Sequence, residues 1–488
     1  MLPFQTLLTI NKEAATPVYQ QIANGLVRLI RDGVIKPGAP LPGSREMALL
    51  LQVHRKTIVA AYQELFTQDW IETLPRKGVI VSQRLPEIKP RTFKAAARLP
   101  AYAGSTGFTY RKPLATPAVA ARAGEFRLAI NDGFPDYRIA PIDLIMREYR
   151  SLFHSPAIKR YAMYGSTAGP LHLRHELAQF LMDSRGLNIG PGNLLLTHGA
   201  QMAIYIAASM VLKPGGTVLV GDPNYFLADM TFQQLGAKLV RIPLDEHGMD
   251  VDAIARICKR KKPDLLYIIP HHHHPTTVTL SADRRMQLLE LIRQYRLPVI
   301  EDDYDYDFHY SSGPILPLAS ADHGGNVIYI GSLTKSLATF MRVGYMVAPE
   351  QFIQDASLLR RLIDIRSDNV LEETLALLFR NGDIQRHLKK SVKLYHERRD
   401  LLCQLMEKEL NGLVTFQPPA GGLAVWTRFH KKHPLPAVAA RAAMQGLFMA
   451  DGSNYSYGTH NHNALRIGFA SLNEKEIREV VAILKKVG

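Results

Sequence analysis

Cysteine is almost missing from this chain of 488 residues: Cys258 and Cys403 are the only two, far apart and outside any Cys-x-x-Cys or Cys/His spacing. That excludes a disulfide framework and a thiolate metal centre, and leads us to expect a reducing compartment. No uninterrupted apolar run reaches the roughly 20 residues that span a bilayer, and the first residues lack a basic stretch followed by an apolar one. The expectation is a cytoplasmic protein with no membrane contact. Acidic residues are scarce too, with 44 Asp and Glu against 59 Lys and Arg for a formal charge of +15. Such an excess suits a polyanionic partner where it is concentrated, and means little where it is spread. What is present suffices for more than one domain, because 47% of the residues are hydrophobic and can fill a substantial core.

The pattern changes twice along the chain. In "PVYQQIANGLVRLIRDG", Val18, Ile22, Leu26 and Ile30 share one helical face, which stops at Gly33. "LPGSREMALLLQV" supplies Ser44 as an N-cap for a short second helix. "HRKTIVAAYQELFTQDW" gives a third, with Ile58, Tyr62 and Leu65 buried and His54, Arg55, Lys56 and Thr57 at its exposed start. "IETLPRKGVIVS" then reads as two strands around a basic turn of Arg76, Lys77 and Gly78. From Ile88 to Gly124 there is no acidic residue, while prolines and small residues interrupt any periodicity. We read 11–82 as one domain, 83–124 as a basic linker spanning about 35 Å if flexible, and 125–488 as a second domain. The linker is either an inert tether or an additional contact for phosphates.

The third segment alternates buried-strand candidates such as "NLLLTHG", "TVLVGDP", "LPVIEDDY", "NVIYIGS" and "VGYMVAP" with amphipathic helices, the signature of an α/β fold with a mostly parallel sheet. Ligands in such sheets gather beyond the carboxyl ends of the strands. There lies Lys335, just after "NVIYIGS". A lone lysine in a Ser/Thr-rich turn is ordinarily a surface group or a phosphate contact. Its company argues otherwise: Asp302 and Tyr304 follow one strand and Tyr225 another. An amine that desolvation makes nucleophilic, a carboxylate, a phenol and an aromatic face together match a pyridine aldehyde cofactor. Ser332, Arg342 and the helix start at Gly199, Ala200 and Gln201 would hold its phosphate.

These residues carry a resemblance. The order Tyr225, Asp302-x-Tyr304, "SLTK" with Lys335, Arg342 and "ALRIGFA" with Arg466 is similar to that of fold-type I, aspartate-aminotransferase-like domains that use pyridoxal 5'-phosphate. The resemblance implies that Lys335 forms the Schiff base and Asp302 pairs with the pyridinium. It further implies Tyr304 on the phenolate oxygen, Tyr225 stacked on the ring, and Arg466 on the α-carboxylate of an amino acid. Tyr164 resembles a tyrosine that reaches the neighbouring subunit's phosphate, which implies a homodimer. One stretch departs from the family, since "PHHHHPTTVT" stands where an "NPTG" amide would bond the phenolate oxygen. His272 or His274 takes that place, and the sequence does not choose between them. Adjacent histidines cannot all point one way and no carboxylate pair or cysteine lies nearby, so we assign no metal. Asp303, Asp305 and Asp307 read as a solvated acidic loop.

The first domain, through "LPGSREMALLLQVHRKTIVAAYQEL", resembles the GntR-type winged helix-turn-helix, α-helical with a small β wing. A helix start bearing His54, Arg55, Lys56 and Thr57 can enter a major groove of double-stranded DNA. Ser44, Arg45, Arg76, Lys77 and Gly78 would meet phosphates or the minor groove. Both halves on one chain are similar to the MocR subfamily of GntR regulators. That implies a transcriptional regulator sensing pyridoxal phosphate, an amino acid or an amine. The competing expectation is a working aminotransferase with an accessory DNA-binding domain.

Overall fold

The computed structural model describes residues 2–74, 78–86, 104–110, 112–114, 125–156, 158–161, 163, 165–310, 315–456 and 461–488. The chain divides into two units, Met1–Tyr110 and Arg111–Gly488. Most of the expected linker, Arg76 and Lys77 of the basic turn, and Tyr164 lie outside the described residues.

The first unit holds α1 (Phe4–Leu7), α2 (Val18–Arg31), α3 (Ser44–Leu50) and α4 (Arg55–Thr67), followed by the antiparallel pair β1 (Ile71–Leu74) and β2 (Gly78–Val81). Ile22, Leu26 and Ile30 of α2 close on Ile58, Tyr62 and Leu65 of α4, the faces that their spacing dictates. The core also takes in Phe4 and Leu8, which precede residue 11. Gly25 makes that possible, because a Cβ there would sit 2.5 Å from the Leu8 side chain. Ser44 is not the N-cap expected of it. Gly43 holds that position, and Ser44 is the first helical residue, its hydroxyl 3.4 Å from the Arg55 Nε. The cap of α4 is His54, whose Nδ1 accepts from the Lys56 amide at 3.2 Å.

The second unit begins with β3 (Leu128–Ala129) and is built on eight strands: β4 (Leu194–Thr197), β5 (Thr217–Asp222), β6 (Lys238–Asp245), β7 (Gly248–Met249), β8 (Leu265–Ile268), β9 (Val299–Asp303), β10 (Val327–Ser332) and β11 (Gly344–Val347). Their order in the sheet is β4-β11-β10-β9-β8-β5-β6-β7. From β10 to β6 neighbours are parallel, whereas β11 runs against both β10 and β4. β4, β8, β9, β10 and β11 are buried along their whole length, which explains why β4, β8, β10 and β11 read as near-continuous apolar runs instead of alternating ones, while β9 ends on the buried carboxylates Glu301, Asp302 and Asp303. A smaller sheet joins β12 (Val414–Phe416), β13 (Ala424–Phe429) and β15 (Ala464–Gly468), and β14 (Leu447–Phe448) pairs with β3. Among the described residues no helix is long and apolar enough to cross a membrane.

Candidate functional site

Parallel pairing of β9 and β10 sets Ile330 beside Asp302 and Gly331 beside Asp303, so both strands end at the same level. Asp302 and Lys335 thereby open on one cavity of about 150 Å³, as do Tyr225, Tyr304, Ser332 and Arg342. Ala200, Gln201 and His274 line it too. The two histidine candidates separate: His274 lines the cavity, while His272 turns away to Asp305 at 3.0 Å and contributes only its backbone carbonyl, which accepts from the Tyr304 hydroxyl at 3.1 Å.

The cavity has two chemically different ends. At one, the helix Ala200–Val211 starts behind Gly199, whose φ of +81° suits glycine, and aims free backbone N–H groups at the opening. The Arg342 guanidinium lies over Gly199, where a Cβ would come within 2.6 Å of its Nη2. A Cβ on Gly344 would meet the Gly199 carbonyl carbon at 2.4 Å, so close backbone approach fixes this anion-binding corner. At the other end stands Asp302. Its Oδ2 accepts from Tyr267 at 2.7 Å, while its buried Oδ1 has no hydrogen-bond partner. Burial, reinforced by Asp303 and Asp305 against the Tyr267 bond, pushes Asp302 up to about 7. An orphaned carboxylate oxygen of this kind calls for a cationic donor.

Between the ends, Lys335 is enclosed. Burial draws its pKa down to about 8, with Asp132 opposing and Arg466 and Arg342 assisting. Its Nζ donates to the Gly133 carbonyl at 2.7 Å and sits 4.5 Å from the centre of the Phe134 ring. The Tyr225 ring lies edge-on to His274, with centroids 5.0 Å apart. An anion site, a nucleophilic amine, a flat aromatic wall and an unsatisfied carboxylate in that arrangement fit pyridoxal 5'-phosphate.

Arg466 does not line the cavity. It is 1% exposed on β15, with Nε 2.8 Å from Asp132 Oδ1 as an ion pair and Nη1 3.3 Å from the Pro275 carbonyl. Sequence reasoning missed Asp132, and with it Gly133, Phe134, Tyr267 and Tyr455. The signal available was "NDGFP", 131–135, a turn-forming carboxylate directly after an apolar run.

The acidic run is not a solvated loop. Asp303 and Asp305 are each 2% exposed, and they pair with His271 at 3.1 Å and His272 at 3.0 Å. Asp307 meets Arg185 at 2.8 Å and accepts from Ser336, the residue after Lys335, at 2.8 Å. Buried charges persist when paired, and the histidine run supplies two of those partners.

In the first unit His54, Arg55 and Lys56 are exposed and Thr57 half-buried at the start of α4. Arg45 is exposed one residue into α3, beside the Ser44–Arg55 contact, and Gly78 opens β2 with φ +76°.

Fold and site together define a class: an aminotransferase-type domain built around a buried lysine and a buried aspartate with one unpartnered oxygen, preceded by a helical module with a basic helix start. The chain belongs to the aminotransferase class I and II family, whose model matches residues 128–484, and residues 18–81 match the gntR family of bacterial regulatory proteins. It is 26% identical over 96% of its length to the HTH-type transcriptional regulator YisV of Bacillus subtilis (strain 168), covering 95% of that protein. It is 24% identical to the probable rhizopine catabolism regulatory protein MocR of Rhizobium meliloti, over 98% of this chain and 95% of that one. The solved kynurenine aminotransferase of Pyrococcus horikoshii, in complex with PMP, superimposes with a TM-score of 0.68 at 26% identity, covering 74% of this chain and 90% of that one. The regulators align over nearly the whole chain, and the enzyme over about three quarters of it.

Proposed function

We propose that the chain is a MocR-type transcriptional regulator of the cytoplasm, in which occupancy of the pyridoxal-phosphate cavity by an amino compound governs binding of double-stranded operator DNA. The observation that carries this reading is the joining of a basic helix start to a complete cofactor cavity on one chain, in the organisation of whole-length regulators. We take 11–82, extended by the buried Phe4 and Leu8, as the DNA-binding domain, 83–124 as the linker and 125–488 as the effector domain.

The cofactor, when bound, supplies an aldehyde that condenses with primary amines and a ring that draws electrons. Lys335, with a pKa of about 8, keeps about a tenth of its amine unprotonated at pH 7, far more than an ordinary lysine. Asp302 offers the free Oδ1 to the ring nitrogen, Tyr225 the stacking face, and Tyr304 with His274 the hydrogen bonds to the ring oxygen. Ser332, Arg342 and the amides of 199–201 hold the phosphate. His54, Arg55, Lys56 and Thr57 read the major groove, and Ser44, Arg45 and Gly78 approach the backbone, with the neighbouring Arg76 and Lys77 of the wing. An effector shifts DNA affinity only by binding two arrangements unequally.

Transamination is the second reading, favoured by the same lysine and aspartate. One experiment separates the two. Purified protein with pyridoxal phosphate is scanned for visible absorbance, assayed for amino transfer, and offered a pool of random duplexes for selection. We expect absorbance that Lys335→Ala abolishes, recovery of a defined sequence bound in a salt-dependent way, and an amine response of that binding that Lys335→Ala removes. Turnover without sequence-selective binding would leave an enzyme instead.

A further inference from the structure

The arginine expected to grip an amino acid's carboxylate is already engaged. Arg466 is 1% exposed and its Nε stands 2.8 Å from Asp132 Oδ1 as an ion pair without a hydrogen bond, so a carboxylate of the chain already occupies the place beside the guanidinium where a ligand carboxylate would lie. Its Nη1 points to the Pro275 carbonyl at 3.3 Å, and the Gly133 backbone covers Nη2 so closely that a Cβ there would lie 3.1 Å away. Asp132 is held from every side. Its Oδ1 also accepts from the Tyr455 hydroxyl at 3.0 Å, and its Oδ2 meets His274 Nε2 at 2.7 Å. Burial pushes Asp132 up, yet His274, Arg466 and Lys335 together keep it below the ordinary carboxylate range. The side chain is 35% exposed, and the face left open lines the cavity beside Lys335. An incoming amine therefore meets a carboxylate of the protein where the aminotransferase pattern offers a guanidinium.

We propose that Asp132 stands in for the effector's α-carboxylate, so that this cavity takes a primary amine lacking that group and discriminates against the corresponding amino acid. An α-carboxylate entering here would lose its hydration without gaining a counter-charge, and would lie against a second carboxylate. A neutral or cationic substituent suffers neither penalty. The inference rests on the cofactor reading above and deepens it by naming the effector class.

The test uses the full chain loaded with pyridoxal phosphate and matched pairs that differ only in the carboxylate: 2-phenylethylamine with phenylalanine, and isobutylamine with valine. The readout is the ligand concentration that half-completes the change in visible absorbance. In the wild type each amine is expected to act at a concentration at least tenfold lower than its amino acid. Asp132→Asn is expected to free Arg466 and narrow or invert that ratio by tenfold or more. Equal or tighter response to the amino acids in the wild type overturns the inference, whether or not the variant folds. So does a loaded protein that responds to neither class, or a folded Asp132→Asn that leaves the ratio unchanged. If Lys335→Ala leaves the wild-type absorbance intact, the cofactor reading itself fails and takes this one with it; if only the preference is wrong, the cofactor reading stands.

Discussion

Asp302 shows how a residue legible in sequence acquires a property that was not. Its position after a buried strand marked it as a candidate for the pyridine nitrogen, but nothing in "IEDDYDYDF" announces that one oxygen is bonded to Tyr267 and the other to nothing. Its pKa in the folded chain, about 7, stands above the ordinary 3.8. The folded state thus holds a proton that the unfolded chain gives up earlier. Its stabilising effect is complete below the ordinary value and is lost as pH rises through about 7. Glu301, raised by burial to about 8, acts in the same sense, so the variant must be compared with the wild type at each pH. We expect cofactor-free Asp302→Asn to be more stable than cofactor-free wild type at pH 8 by an amount of order 2–4 kcal/mol, and nearly equal to it at pH 4. With pyridoxal phosphate added the order should reverse, since the amide cannot pair with a pyridinium. Thermal unfolding at the two pH values, with and without cofactor, checks both halves. A pH-independent difference would place the orphaned oxygen elsewhere in the energetics.

At the scale of elements, the strand candidates named from the sequence are all present as β4, β5, β9, β10 and β11, because burial of most of their length leaves an apolar stretch that needs no partner to be recognised. Segments whose meaning depends on distant partners were not legible. The alternating aspartates after β9 look solvated until Arg185, His271 and His272 are seen beside them. "NDGFP" is a turn until β15 brings Arg466 against it. The junction of β11 with the helix Ala200–Val211 is of the same kind. Gly344 has unremarkable sequence context, yet its missing side chain lets the start of the phosphate-facing helix lie against the strand. Because the atoms a Cβ would strike are backbone and cannot rotate aside, Gly344→Ala should cost about 1–3 kcal/mol. It should also displace Gly199 from beneath Arg342, weakening uptake of pyridoxal phosphate by tenfold or more. Retention of wild-type cofactor affinity by a folded Gly344→Ala would show that this corner tolerates displacement, and that Arg342 alone holds the anion.

For the molecule as a whole, most of the +15 charge lies outside the first unit, so under the proposed function operator affinity depends on the basic helix start and on pairing two copies of the DNA-binding unit on paired half-sites. The second unit has a surface suited to joining them. On the helix Glu350–Ile363, Leu358 is 63% and Leu362 84% exposed, one turn apart, and Ile363 and Ile365 extend the apolar face. Exposed apolar side chains so grouped mark an interaction surface. The opposite side of this helix is anchored: Arg360 donates to the Thr167 carbonyl at 2.9 Å and to the Leu196 carbonyl at 2.6 Å, and is 3.2 Å from Asp364. Asp364 in turn meets His198, the residue before Gly199, at 2.7 Å. The apolar face is therefore built onto the Gly199 end of the cavity. The double variant Leu358→Asp, Leu362→Asp should convert a homodimer to monomers by sedimentation at micromolar concentration. It should lower operator affinity by a hundredfold or more and roughly halve the salt dependence of binding, since each monomer neutralises half as many phosphates. A wild-type monomer at that concentration would remove the association altogether, and a dimeric double variant with undiminished operator binding would move it to another face.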